Sequence, residues 1–171
     1  MKRIGLLSDT HGFLDPDIFK YFEEVEEIWH AGDVGVGNIL ADLNDFRPLR
    51  AVFGNIDETR LRNNYPEDQL FTLEGLTVLM THIGGYPGRY NKRARILIDE
   101  HQPQLFICGH SHILKVMPDK KRHLLHINPG ACGHHGFHKM RTIIRFSIEN
   151  GHIFDLEVIE LGKRGALGKE K

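Results

Sequence analysis

Residues 2–33 read KRIGLLSDTHGFLDPDIFKYFEEVEEIWHAGD, and this stretch decides the fold. Lys2 to Ser8 is a short apolar run that ends in polar residues, and behind Asp15-Pro16 the residues Ile18, Phe19, Phe22 and Val25 recur at helical spacing over Pro16 to Val25. Glu27 to Ala31 is a second apolar run, closed by Gly32. Working outward, a Gly-bounded helical segment from Val36 to Phe46 leads to a third run, Leu49 to Phe53, closed by Gly54. The pattern is βαβαβ. It predicts an α/β fold with a mainly parallel sheet covered by helices, whose loops at the C-terminal strand ends carry function.

Beyond residue 65 the pattern changes. Leu70 to Leu73 and Leu76 to Thr81 flank Glu74-Gly75, a two-residue hairpin signal, and Pro87 to His101 reads as a basic amphipathic helix. Leu105 to Cys108 has the composition of a buried strand. Runs at Ile113 to Met117, His123 to Ile127, Thr142 to Ile148 and His152 to Ile159, separated by turn residues such as Pro118-Asp119 and Asn150-Gly151, predict an antiparallel sheet for the second half. A chain of 171 residues fits one domain, here 1–161, and the Gly- and Lys-rich segment 162–171 reads as a flexible basic tail.

Composition excludes several classes. The 22 Lys and Arg against 23 Asp and Glu give a net charge of −1, so the basic excess of a stoichiometric nucleic-acid binder is missing. Apolar content of 40% and charged content of 26% are those of a soluble globule. Only Cys108 and Cys132 are present, which fits reduced thiols and a cytoplasmic setting. The apolar stretch after Met1-Lys2-Arg3 ends at Ser8-Asp9, too soon for an export signal, and no run approaches the roughly 20 residues of a bilayer span. Twelve histidines, by contrast, invite a search for a metal site.

That search succeeds at the ends of the apolar runs. They terminate in Asp9-Thr10-His11, Gly32-Asp33, Gly54-Asn55-Ile56-Asp57, Thr81-His82 and Gly109-His110-Ser111-His112. In Asp9-x-His11 and His110-x-His112 the ligand types are two apart, which in an extended segment points both side chains the same way, toward one site. Gly32, Gly54 and Gly109 permit unusual backbone angles and close approach where strands become loops.

In these motifs the chain resembles the calcineurin-like metallophosphoesterases, and in particular their small single-domain phosphodiesterases. Asp-x-His, Gly-Asp, Gly-Asn-x-Asp, a lone His and Gly-His-x-His follow one another in the family's order, and Asn128-Pro129-Gly130 looks like the turn that comes after them. The resemblance covers nearly the whole chain. It implies a four-layer αββα sandwich with a two-metal site at the strand ends. Asp9, His11 and His112 would hold one ion and Asn55, His82 and His110 the other, with Asp33 bridging both. It also implies hydrolysis of a phosphodiester by a hydroxide bridging two divalent metals, with Asp33, Asn55, His82 and Asp57 as the catalytic set. Carboxylate, imidazole and amide donors together suit borderline ions, manganese first and Ni, Fe or Zn after it. A phosphomonoesterase or pyrophosphatase with the same site, or a catalytically weak protein-binding scaffold like the family's retromer subunit, are the competing readings.

Three places depart from the family or stand open. Many members carry His after the metal-binding Asn, where it protonates the leaving group; here Ile56 stands, and loss of acid catalysis costs about 10²–10⁴-fold. Asp57 is a candidate for aligning a ligand by a hydrogen bond, or else the N-cap of a helix starting at Glu58-Thr59-Arg60. His82-Ile83-Gly84 replaces the frequent His-Gly-His, and the loop after it offers Arg89 and Tyr90 as contacts to a substrate phosphate or base, or else is a solvated turn. The segment Gly133 to Lys139 offers His134 as a substrate contact, a replacement acid or an extra ligand over the cleft, or else is a flexible polar loop. His30 reads as a supporting residue beside the ligands, Cys108 as core, and Lys92-Arg93-Ala94-Arg95 as a solvated helix face or a steering patch. The expected partner is a small phosphoester, with no membrane and with the chain a monomer or weak homodimer.

Overall fold

The computed structural model describes residues 1–165. In chain order the elements are β1 (Lys2–Leu7), α1 (Asp17–Tyr21), β2 (Glu27–His30), α2 (Ile39–Phe46), β3 (Leu49–Ala51), α3 (Thr59–Asn64), β4 (Asp68–Leu73), β5 (Leu76–Thr81), β6 (Gly85–Tyr86), β7 (Arg89–Tyr90), α4 (Lys92–His101), β8 (Leu105–Ile107), β9 (Lys115–Asp119), β10 (Leu124–Asn128), β11 (Met140–Glu149) and β12 (His152–Lys163). Two five-stranded sheets form, ordered β12-β11-β1-β2-β3 and β4-β5-β8-β10-β9. In the first, β1, β2 and β3 run parallel, as the βαβαβ pattern requires, while β11 joins β1 antiparallel. In the second, β5, β8 and β10 are parallel, with β4 and β9 antiparallel at the edges.

Strand alternation explains the layering. Ile4 and Leu6 of β1, Trp29 of β2, Val78 and Met80 of β5, Ile107 of β8 and Ile127 of β10 meet in one core between the sheets. The opposite faces are covered by helices: Leu7, Ile28 and Ile143 pack with Ile18 and Phe22 of the α1 segment and Leu43 of α2, and Leu79 and Phe106 pack with Ala94 and Ile98 of α4. This is the four-layer αββα sandwich.

The second half is not one antiparallel sheet. Strands β9 and β10 complete the second sheet, whereas β11 and β12 return to the first. The cause is legible in β11: Ile144, Phe146 and Ile148 face the inner core and Ile143 the helix side, so the strand is buried on both faces and takes the place beside β1. The segment after Tyr21 also differs from a helix to Val25. Helix α1 ends at Tyr21, and Phe22 and Val25 reach the core from a turn closed by Val25 N–H to Phe22 O at 3.1 Å. Gly35 and Gly37 take left-handed φ angles of 84° and 106°, so α2 starts only at Ile39. Residues 85–90 form the β6–β7 hairpin rather than helix, and Asn91 caps α4 by accepting the Arg93 N–H at 2.9 Å. Residues 162–164, expected in a flexible basic tail, belong to the fold: β12 still pairs with β11 at Gly162 and Lys163, and Arg164 N–H bonds Lys139 O at 3.0 Å. Residues 166–171 lie outside the described residues.

Two buried imidazoles couple this fold to pH. Burial pushes both His30 and His126 down to about 4 from an ordinary 6.5. His126 lies against Phe106 and Tyr90, and neither of its ring nitrogens has a hydrogen-bond partner. Between pH 6.5 and 4 the unfolded chain therefore binds these protons and the native chain does not, so stability falls as pH falls through that window. His126→Phe removes one of the protons and one unsatisfied ring. Urea unfolding at pH 7 and pH 5 should show a smaller acid loss for this variant than for the parent.

Candidate metal centre

The loops after β1, β2, β3, β5 and β8 meet where the two sheets close on each other, and backbone bonds lock them together. Asp9 N–H donates to Gly32 O at 3.0 Å, His11 N–H to Asp33 O at 3.1 Å, and Gly109 N–H to His82 O at 2.9 Å. The result is two trios of ligand atoms, Asp9, His11 and His112 in one and Asp33, His82 and His110 in the other, each within 4.8 Å of one another. His112 Nε2 lies 3.1 Å and His11 Nε2 3.8 Å from Asp9 Oδ1. Asp33 Oδ2 lies 3.2 Å from His82 Nε2 and 3.5 Å from His11 Nε2, so a single carboxylate oxygen faces both trios. Asn55 sits on the adjoining loop, whose Ile56 N–H donates to the other Asp33 oxygen at 3.1 Å.

Around the ligand atoms, hydrogen bonds decide which lone pairs stay free. His82 Nδ1–H donates to Ala31 O at 2.7 Å, which leaves Nε2 as a lone pair aimed into the site. Asp9 Oδ2 accepts from Ser8 Oγ at 2.7 Å and His110 N–H at 3.2 Å, which leaves Oδ1. Asp9 Oδ1 and His82 Nε2 are both buried and both without a hydrogen-bond partner. Buried polar atoms are costly in that state, and a divalent cation between them removes the cost. Donors of this kind, at this convergence, fit two metal ions. The charges agree: burial works to push Asp9 and Asp33 up, but the neighbouring imidazoles outweigh it and hold both carboxyls low. Asp33 and Asp9 also raise the His82 pKa against the opposing effect of burial, so at this nitrogen a cation would take the place of a proton.

The ligands arrive by a route other than extended segments. Asp9, His11, Asp33, His110 and His112 have φ of 56°, 45°, 53°, 69° and 59°, the left-handed region that β-carbons disfavour. Asp9 and His11 do reach one trio, but His110 and His112 divide between the two. Two glycines serve close approach instead of unusual angles: a Cβ on Gly54 would stand 2.0 Å from Asp33 Oδ1, and one on Gly109 2.2 Å from Ser8 Oγ.

Asp57 neither caps α3 nor touches a ligand side chain. Glu58 occupies the N-cap position, and the buried Asp57 carboxylate accepts backbone N–H bonds from Val34 at 3.2 Å, Gly35 at 2.9 Å and Gly54 at 2.8 Å. It ties the Asp33 loop to the Asn55 loop and is a positioning residue. Arg62, which sequence reasoning missed, completes this tie through Asp57 O at 2.6 Å and Asn55 O at 3.1 Å. Its only sequence trace is a cation at a helical position five residues after Asp57.

The candidate substrate contacts fare unevenly. Arg89 is exposed on the β6–β7 hairpin. Tyr90 is turned away from the ligands: its hydroxyl donates to Asp119 at 3.0 Å and its ring packs on Phe106. His134 turns to Phe13 and to the Arg164 carbonyl, and its neighbour His135 is the residue that covers the site, with ring centroids 4.7 Å from His11. His138 sits edge-on to His112 with centroids at 5.3 Å. His30 links Thr10 Oγ1 at 3.0 Å to Gly32 N–H at 3.1 Å and so supports the loops from behind. Cys108 is buried, and burial pushes its thiol up to about 12, as a core residue should be. In the basic cluster, Arg93 is engaged by Asp68 at 2.9 Å.

Residues 1–151 match the family model of the calcineurin-like phosphoesterase superfamily domain. The chain belongs to that superfamily. This phosphoesterase is similar to a probable metallophosphoesterase of Methanothermobacter thermautotrophicus, 31% identical over 135 residues that cover 75% of this chain and 76% of the relative. One from Methanocaldococcus jannaschii is 31% identical over 158 residues, covering 86% and 76%. Among solved structures, vacuolar protein sorting 29 of Chaetomium thermophilum superposes with a TM-score of 0.72 at 15% identity, over 95% of this chain and 100% of that one. A structure described as a novel archaeal phosphodiesterase superposes with 0.68 at 23%, over 93% and 99%. These likenesses show the same fold, and the family implies divalent metal ions for the two trios. No described helix is long and apolar enough to cross a membrane.

Substitution of the tie should loosen the ligand loops without touching a ligand. Asp57→Asn removes charge from the acceptor of three backbone N–H groups, and we expect about 1–3 kcal/mol of lost stability and roughly 10–100-fold weaker metal binding. Gly54→Ala should do the same by displacing the Asp33 carboxylate. Thermal unfolding and metal content after dialysis measure both.

Proposed function

We propose that this phosphoesterase is a phosphodiesterase working through a binuclear centre, with manganese the first choice of ion. The observation that carries the reading is the single Asp33 oxygen that faces both trios, 3.2 Å from His82 Nε2 and 3.5 Å from His11 Nε2. A carboxylate so placed is arranged to be shared between two cations. Ions held there would supply Lewis acidity, which activates water and neutralises phosphate oxygens. The mixed oxygen and imidazole donor set favours Mn, Fe, Ni or Zn over Mg or Ca. The related fold of Entamoeba histolytica vacuolar protein sorting 29 is described in complex with zinc.

The chain's own residues divide the work as follows. His82, oriented by Ala31 O, and Asp9, oriented by Ser8 and the His110 N–H, hold fixed lone pairs, so no reorganisation is needed when charge develops. Asn55 adds an amide oxygen from a loop clamped by Arg62. Ile56 offers no proton at the position where many relatives carry His, so the leaving group must depart with its charge. A small phosphoester with a good leaving group suits this site. Nothing in the reading requires a nucleic-acid or membrane partner, and a monomer or weak homodimer in the cytoplasm is sufficient.

Protein stripped and reloaded with Mn should hydrolyse bis-p-nitrophenyl phosphate faster than p-nitrophenyl phosphate, and Asp33→Ala and His82→Ala should each lose at least about 10²-fold in turnover. Bound metal without turnover of either compound would favour the scaffold reading, and faster monoester turnover the phosphomonoesterase. A second comparison tests Ile56: an alkyl diester should be slower than an aryl diester by about 10²–10⁴-fold, the usual worth of a missing general acid. Ile56→His should narrow that gap.

A further inference from the structure

A groove of about 1110 Å³ opens directly from the metal centre. His11, His135 and Ile56 line its inner end, and from there it runs between α2 and α3. The inner end is tied to the reacting position, because the Ile56 N–H that donates to Asp33 fixes that loop 3.1 Å from the shared carboxylate. We infer that this groove receives the uncharged organic half of the diester, a group of nucleoside type, while the phosphate lies on the metal centre. The inference rests on the phosphodiesterase reading and narrows its substrate class.

Its chemistry argues for this occupant over a second phosphate or a peptide. Apolar side chains also line it: Val36 and Ile56 are 72% and 44% exposed, an arrangement that suits an uncharged, ring-like group lying over them. Farther along, the carboxamides of Asn38 and Asn44 line the walls, and each offers both a donor and an acceptor to heteroatoms without demanding charge. The lining cation Arg60 is outnumbered by Asp45 and Glu58, so an additional anionic group would meet repulsion. His135, its ring tilted 32° to that of His11 with centroids 4.7 Å apart, supplies an aromatic group where groove and centre join. A bare monoester would leave the whole groove unused.

The test compares thymidine 5′-p-nitrophenyl phosphate with methyl p-nitrophenyl phosphate on the Mn-loaded protein. Both release the same phenolate, so a difference reports the nucleoside alone. We expect at least about a tenfold higher kcat/KM for the thymidine diester, equivalent to roughly 1.4 kcal/mol of added binding. Asn44→Trp, at an exposed position of α2, should fill the groove and bring the ratio of the two kcat/KM values toward unity, and Val36→Asp should do the same at the mouth. Calorimetric titration of the loaded protein with thymidine 5′-phosphate and with methyl phosphate provides a readout that needs no turnover, and the former should bind about tenfold more tightly. Equal kcat/KM values with equal affinities overturn the groove assignment while leaving the phosphodiesterase intact. Turnover of neither diester overturns the phosphodiesterase reading, and the titration then still decides the groove.

Discussion

Two buried carboxylates brought face to face are the constraint on which the molecule is organised. Asp9 and Asp33 leave adjacent parallel strands, and each raises the cost of charging the other. Imidazoles from both sheets, His11 from the first and His82 and His112 from the second, are what make the arrangement affordable in electrostatic terms. The centre can thus form only where both sheets present their C-terminal ends to one point. That requirement accounts for the sandwich better than any core residue does, since an apolar interface would tolerate the sheets at several offsets.

The same constraint explains the buried polar residues nearby. Ser8, Thr10 and His30 are fully buried, yet none is a ligand; they hold lone pairs and loops in place. Asp57 and Arg62 do this on the far side by gripping backbone, so the Asn55 loop is rigid although Asn55 and Ile56 are exposed. Support of this kind is why the left-handed residues can persist.

Much of this was legible in the amino-acid order. The βαβαβ half and the ligand residues at strand ends could be read because hydrophobic period and ligand type are local properties, while their division into two sets came only from the family resemblance. The mode of convergence could not, since a spacing of two residues looks alike in an extended strand and in the left-handed turns found at Asp9 and His112. The two-sided burial of β11 marks it as an inner strand, but not which sheet it would join, because such a run is compatible with the interior of either. Asp57 stands at a position where a cap and a loop tie carry the same letter, and Arg62 is indistinguishable from any helix cation until its fold-mates are known. In the His134–His135 pair, the choice of which ring turns inward is made by Phe13 and the Arg164 carbonyl, both distant in sequence.

The left-handed backbone at five ligand positions has an evolutionary consequence. Because the cavity is moulded by main-chain turns, glycine contacts and the Asp57 tie, its shape is inherited with the scaffold and not with the side chains that point into it. A single side chain there can change while the backbone turns around it keep the concave outline. Chemistry is the replaceable part of such a centre, and the hollow is the durable one.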